Sequence, residues 1–102
     1  MNALEAIKEA IKINPKNKEL VKTLLEFGSQ FMAEKKLQEA ILAYKQALLL
    51  SPLNIDASLG LARAFFSNGD SRNALRAVRN AISIDPKSAE AKALLLQIMT
   101  QH

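Results

Sequence analysis

The stretch FFSNGDSRNAL, Phe65 to Leu75, sets a serine, Ser71, behind a glycine and an acid, the one arrangement in this chain that could present a nucleophile. Acyl transfer through Ser71 would need a base within hydrogen-bond reach, normally histidine, and a third group to orient it. The sequence has one histidine, His102, its last residue, and chain ends are poorly held. The carboxylates offer no better acid–base pair: Glu5, Glu9, Glu34 and Glu39 are scattered on exposed helix faces, where helix salt bridges with neighbouring lysines are the expected role. Cysteine is absent, which excludes disulfides and thiolate metal sites. There is no phosphate-binding glycine loop and no metal-ligand cluster. The sequence therefore predicts no enzyme, no metal and no cofactor. Gly69 suits the left-handed residue that ends a helix, with Asp70 or Ser71 capping the next one. Ser71 reads as part of a turn.

The elements around that turn follow from composition. A chain of 102 residues makes one domain. It is 49% hydrophobic but only 5% aromatic, and rich in alanine and leucine, a mix that suits closely packed helices better than a sheet. Three Gly and three Pro leave little material for long loops. The opening stretch MNALEAIKEAIKINP carries charges every few residues, unlike a secretory signal. The longest apolar run falls far short of the roughly 20 residues that cross a bilayer. The expectation is a cytoplasmic protein without membrane insertion. A net charge of +4 helps solubility and demands no nucleic acid.

The chain is periodic. Pro52 and Pro86 are 34 residues apart, and Pro15 precedes Pro52 by 37. Counting back from each proline, Ala3, Ala40 and Ala74 share one phase, then Ile7, Tyr44 and Val78, then Ala10, Ala47 and Ala81. Small residues flanking a large one mark a helix that lets a neighbour approach closely. Before two of these segments lies a second helical pattern, with Leu24, Phe27, Gly28 and Phe31 in one and Ser58, Leu61, Ala62 and Phe65 in the other. The succession L-x2-F-G-x2-F, A-x3-Y, P and then S-x2-L-A-x2-F, A-x3-V, P resembles the tetratricopeptide repeat (TPR) pattern of W-x2-L-G-x2-Y, A-x3-F, P over 34 residues. Leu24 and Ser58 stand where the family's tryptophan does. The resemblance implies an all-α superhelix of about six antiparallel helices. Residues 2–14 would be the second helix of an incomplete repeat, 18–52 and 53–86 two full repeats, and 88–101 a terminal helix. Ser88 and Asn54 are N-cap candidates, each followed by an acid in the first turn, Glu90 and Asp56.

What the family resemblance implies for function is binding of an extended peptide or a helix of a partner protein in a concave groove lined by the first helices. Its groove phases fall on Lys22, Leu25, Ser29, Met32 and Ala33, then Asp56, Leu59, Arg63, Phe66 and Ser67, then Glu90, Ala93, Gln97 and Thr100. Apolar anchors within a polar rim suit peptide capture; the alternative is that Leu25, Leu59 and Phe66 merely pack between helices. Some family members hold acidic chaperone tails in a two-carboxylate clamp. The matching positions here are Leu25, Ser29, Gly60, Glu90 and Leu94, which supply no cation or amide, so that ligand class is not expected.

Two other surfaces invite self-association, as a homodimer. Leu42, Leu49 and Leu53 occupy outer phases where the next repeat carries Arg76, Ser83 and Lys87, and an all-round apolar helix is usually covered by something. At the ends, Leu4, Ile7 and Ile11, and Leu95, Leu96, Ile98 and Met99, lack a helix to pack on. Arg72, Arg76 and Arg79 form a basic stripe, but no aromatic interleaves with it, so a solvated outer face is expected in place of a nucleic-acid site.

Overall fold

The computed structural model describes residues 18–101 together with Glu5. Apart from Glu5, the helix expected over residues 2–14, with Leu4, Ile7 and Ile11, lies outside the described residues, as does His102. Those described form five α-helices and no strand: α1 Lys18–Ala33, α2 Leu37–Leu50, α3 Ile55–Ser67, α4 Ser71–Ile84 and α5 Ala89–Thr100.

Side-chain caps open α3, α4 and α5, whereas Lys36 ahead of α2 makes no side-chain cap. Asn54 accepts a hydrogen bond from the Ala57 amide at 3.0 Å, Asp70 from the Asn73 amide at 3.1 Å, and Ser88 from the Ala91 amide at 3.1 Å. Each cap satisfies an amide that the first turn would otherwise leave bare. Asp70 is thus the cap of α4 and Ser71 its first helical residue. Helix ends repeat as well. Gly69 lies in the left-handed region at φ 79°, and the Asp70 amide reaches back to the Phe65 carbonyl at 2.9 Å. One repeat earlier Lys35 takes the same place at φ 60°, with the Lys36 amide on the Phe31 carbonyl at 2.8 Å. Both are Schellman ends, which tie off carbonyls left over by the helix. Lys35 adopts this backbone despite its Cβ, at a cost of about 1–2 kcal/mol.

Packing puts the odd-numbered helices in one layer, α1 against α3 and α3 against α5, while α2 seats between α1 and α3 and α4 between α3 and α5. The main core runs through all five helices, from Phe31 and Tyr44 through Ala62 and Val78 to Ile98. A smaller cluster joins Leu20, Val21 and Leu24 to Ala47 and Ala57. Alanines at 40, 43, 47, 57, 62, 64, 74, 81 and 91 are fully buried. They let backbones approach and leave the few large side chains to interlock.

Tyr44 is the chief of these. Its ring lies between the backbones of α1 and α3, where Gly28 and Gly60 have no Cβ; a Cβ at Gly28 would sit 2.6 Å from the ring, and one at Gly60 closer still. The tryptophan-phase residues, Leu24 and Ser58, are both fully buried. Ser58 keeps a partner there, because the Asn80 amide of α4 donates to its hydroxyl at 2.6 Å. A buried hydroxyl without such a partner would cost about 1–3 kcal/mol.

Candidate functional site

The face of α1, α3 and α5 carries the residues expected to line a groove. Lys22 and Ser29 of α1, Asp56 of α3 and Gln97 of α5 are exposed. So are Ala33, Ser67, Glu90, Ala93 and Thr100. Leu25, Met32 and Phe66 are half-buried and pack against the main core with part of each side chain still open. Leu59 is different: at 2% exposure it belongs to the core and offers nothing to a ligand. It sits on the middle helix of the layer, where neighbours on both sides cover it.

Arg63 and Glu90 meet across this face, guanidinium to carboxylate, bridging α3 and α5. The pair stands in solvent, with side chains 43% and 59% exposed, so it contributes little to stability, at most about 1 kcal/mol. Its chemical consequence is larger, because the guanidinium already has a carboxylate. Of the positions that would have to receive an acidic ligand, Gly60 and Leu94 are buried and Glu90 is itself the acid.

The charge of Arg63 also acts on Tyr44. Burial raises the phenol above its ordinary value of 10.0, and the nearby Arg63 charge opposes the rise in part. Because the folded value is raised, the associated stability is present below the unfolded value and is lost as pH climbs through the folded one. Tyr44 is the chain's one tyrosine, so absorbance near 295 nm reads it alone. It is expected to ionise above its ordinary value, with stability falling as it does, and Arg63→Ala is expected to move the transition higher. A titration at the ordinary value would mean that the ring is not held between the helices.

The surfaces expected to self-associate fare unevenly. Leu49 and Leu53 are 74% and 78% exposed, and Leu96 and Met99 are 63% and 54% exposed. Leu42 is half-buried beside a shallow recess with Gln38, Glu39, Ile41 and Lys45. Leu95 packs partly against the core, and Ile98 is fully buried, so neither belongs to a bare end face. What separates them is helix phase: α4 and α3 cover one side of α5 only.

Residues 31–98 match the family model described as tetratricopeptide repeat. Solved structures of similar shape include the tetratricopeptide domain of Arabidopsis OM64, with a TM-score of 0.78 at 22% identity, over 98% of this chain and 80% of that one. MamA aligns with a TM-score of 0.78 at 28% identity, over 96% of this chain and 56% of its own. The first tetratricopeptide domain of Spaghetti (RPAP3), bound to the HSP90 peptide SRMEEVD, aligns with a TM-score of 0.78 at 19% identity, over 96% of this chain and 75% of that one. No curated protein sequence matches the chain.

Proposed function

The chain belongs to the tetratricopeptide repeat family, and on that premise we propose that it is a non-catalytic module that holds a peptide or short helix of a partner protein on the concave face of α1, α3 and α5. The observation that carries this reading is the half-buried apolar row Leu25, Met32 and Phe66, rimmed by exposed polar residues from three helices. Anchors of this kind give affinity through burial and specificity through the rim. A relative of the same fold holds a peptide, the HSP90 sequence SRMEEVD. This chain's groove suits a less acidic ligand, because Glu90 occupies Arg63 and would repel a second carboxylate.

A peptide-array screen of the wild-type chain, repeated with Arg63→Ala and Phe66→Ala, tests the reading. Selected peptides are expected to bind Phe66→Ala at least tenfold more weakly, on the loss of roughly 1.4 kcal/mol or more of apolar contact. If both variants keep every peptide at wild-type strength, the groove is not the site.

A second reading is favoured by Leu49, Leu53, Leu96 and Met99, four large apolar side chains more than half exposed. Such residues mark association surfaces when they cluster, and a second copy of the chain is the partner they suit without further assumption. Light scattering behind size exclusion decides: Leu96→Glu or Leu49→Glu should halve the mass of a dimer, and a wild-type monomer at all concentrations removes the reading.

A further inference from the structure

The outer side of the molecule carries a cleft that the concave groove does not explain. Its walls are α2 and α4 and its floor is α3. Leu48, Phe65 and Ala77 give it an apolar base, Lys45 and Arg76 stand on opposite walls, and Asn80 lies beside Arg76. The Lys45 ammonium sits over the Phe65 ring, 5.5 Å from its centroid.

The charge along α4 is one-sided. Its fourteen residues contain Arg72, Arg76 and Arg79 and no acid. Arg72 and Arg76 are four apart on one face, a like-charge spacing that destabilises an isolated helix. By contrast α1 mixes Lys18 and Lys22 with Glu19 and Glu26. The carboxylates nearest α4 are already engaged at its ends. Asp70 accepts from the Asn73 amide and side chain, and Asp85 accepts from the Lys87 amide. Among the described residues, no carboxylate pairs with Arg76, Arg79 or Lys45. Glu39, in the adjoining recess with Lys45, is the acid closest along α2.

From these observations we infer that the outer cleft is a second docking surface, and that its partner is an acidic amphipathic segment of a protein. Carboxylates of that segment pair with Arg76 and Lys45 while an apolar side chain seats over Leu48 and Phe65. Charge complementarity selects the sign of the partner, and the apolar base selects a protein segment over a nucleic acid. Phe65 lies in the floor beneath a lysine, so it offers no open ring for a base to stack on. The site lies on the opposite side of the repeats from the concave groove, so the two can be occupied together and fail independently.

The probe is a fluorescein-labelled 16-residue peptide with glutamates on one helical face and leucines on the other, followed by anisotropy at low salt. A glutamine version of it and a 16-residue oligouridylate serve as comparisons. The glutamate peptide is expected to bind, to weaken steadily with added salt, and to lose about tenfold in affinity in Arg76→Glu. Arg79→Glu should cost less, and Phe66→Ala on the concave side should cost nothing. Arg76 is exposed and glutamate is an equally good helix former, so the variant folds, as circular dichroism would verify. The inference is overturned if no binding is measured up to about 0.5 mM peptide, if the glutamine peptide binds as well, or if Arg76→Glu binds as wild type does. Tighter, Arg76-dependent binding of oligouridylate would overturn it in favour of a nucleic-acid face.

Discussion

Alanine at Gly60 is expected to destabilise the native protein by about 1–2 kcal/mol, yet to stabilise it by about 1 kcal/mol once Tyr44 has been replaced by valine. In isolation the change from glycine to alanine favours a helix by roughly 1 kcal/mol, since alanine loses less backbone freedom on folding. Here the new methyl group meets the Tyr44 ring, which is 7% exposed and flanked on its other side by Gly28. A rigid ring caught between two backbones cannot swing aside, and overpacking of this kind costs about 1–3 kcal/mol. One repeat later the volumes are exchanged. Val78 stands in the phase of Tyr44, and Ala62 and Leu94 in the phases of Gly28 and Gly60, all buried. The molecule thus fills one interhelical space from the second-type helix and the next from the first-type helices. Urea unfolding of Gly60→Ala, Tyr44→Val and the double variant measures the coupling directly. Stabilisation by Gly60→Ala in both backgrounds would show that the ring is free to move, and the interlock would not exist.

That exchange also marks where the sequence is legible and where it is not. Tyr44 and Gly28 both stand on pattern positions, and the 34-residue phase finds them. Gly60 falls between the pattern positions Ser58 and Leu61, so its repeat gives no reason for a glycine. The reason is three-dimensional, because it faces a ring contributed by the preceding repeat. A comparison of volumes at equal phase, Tyr44 with Val78 and Gly60 with Leu94, is the signal that would reveal it. Leu59 and Ile98 fail differently. Helical phase places Leu59 on the groove face, but α3 is flanked on both sides and the side chain is enclosed. Lys35 gives no warning of its left-handed backbone, since nothing about a lysine favours φ 60°. The caps Asn54, Asp70 and Ser88 are local hydrogen bonds, which is why residue type alone announces them. The Arg63–Glu90 pair joins residues 27 apart in the chain and depends on how two repeats stack. No local rule reaches that far.

Ile98 and Met99 are neighbours, yet truncating them is expected to have very unequal consequences. Ile98 is fully buried although it lies three residues from the last described position. Ile98→Ala should cost about 2–4 kcal/mol, the loss of a buried branched side chain plus the cavity it leaves. For a domain whose whole stability is about 5–15 kcal/mol, that is a severe loss. Met99 is 54% exposed, so Met99→Ala in an isolated chain should stay within about 0.5 kcal/mol of wild type. The contrast tests whether α5 is docked as a working part of the core. If Ile98→Ala is silent, the helix is not seated on α3 and α4, and Glu90 cannot be held in reach of Arg63. If instead Met99→Ala costs as much as Ile98→Ala, some surface covers Met99 in solution. A dependence of that cost on protein concentration would identify the cover as a second copy, and at the lowest concentrations the cost should vanish while that of Ile98→Ala persists.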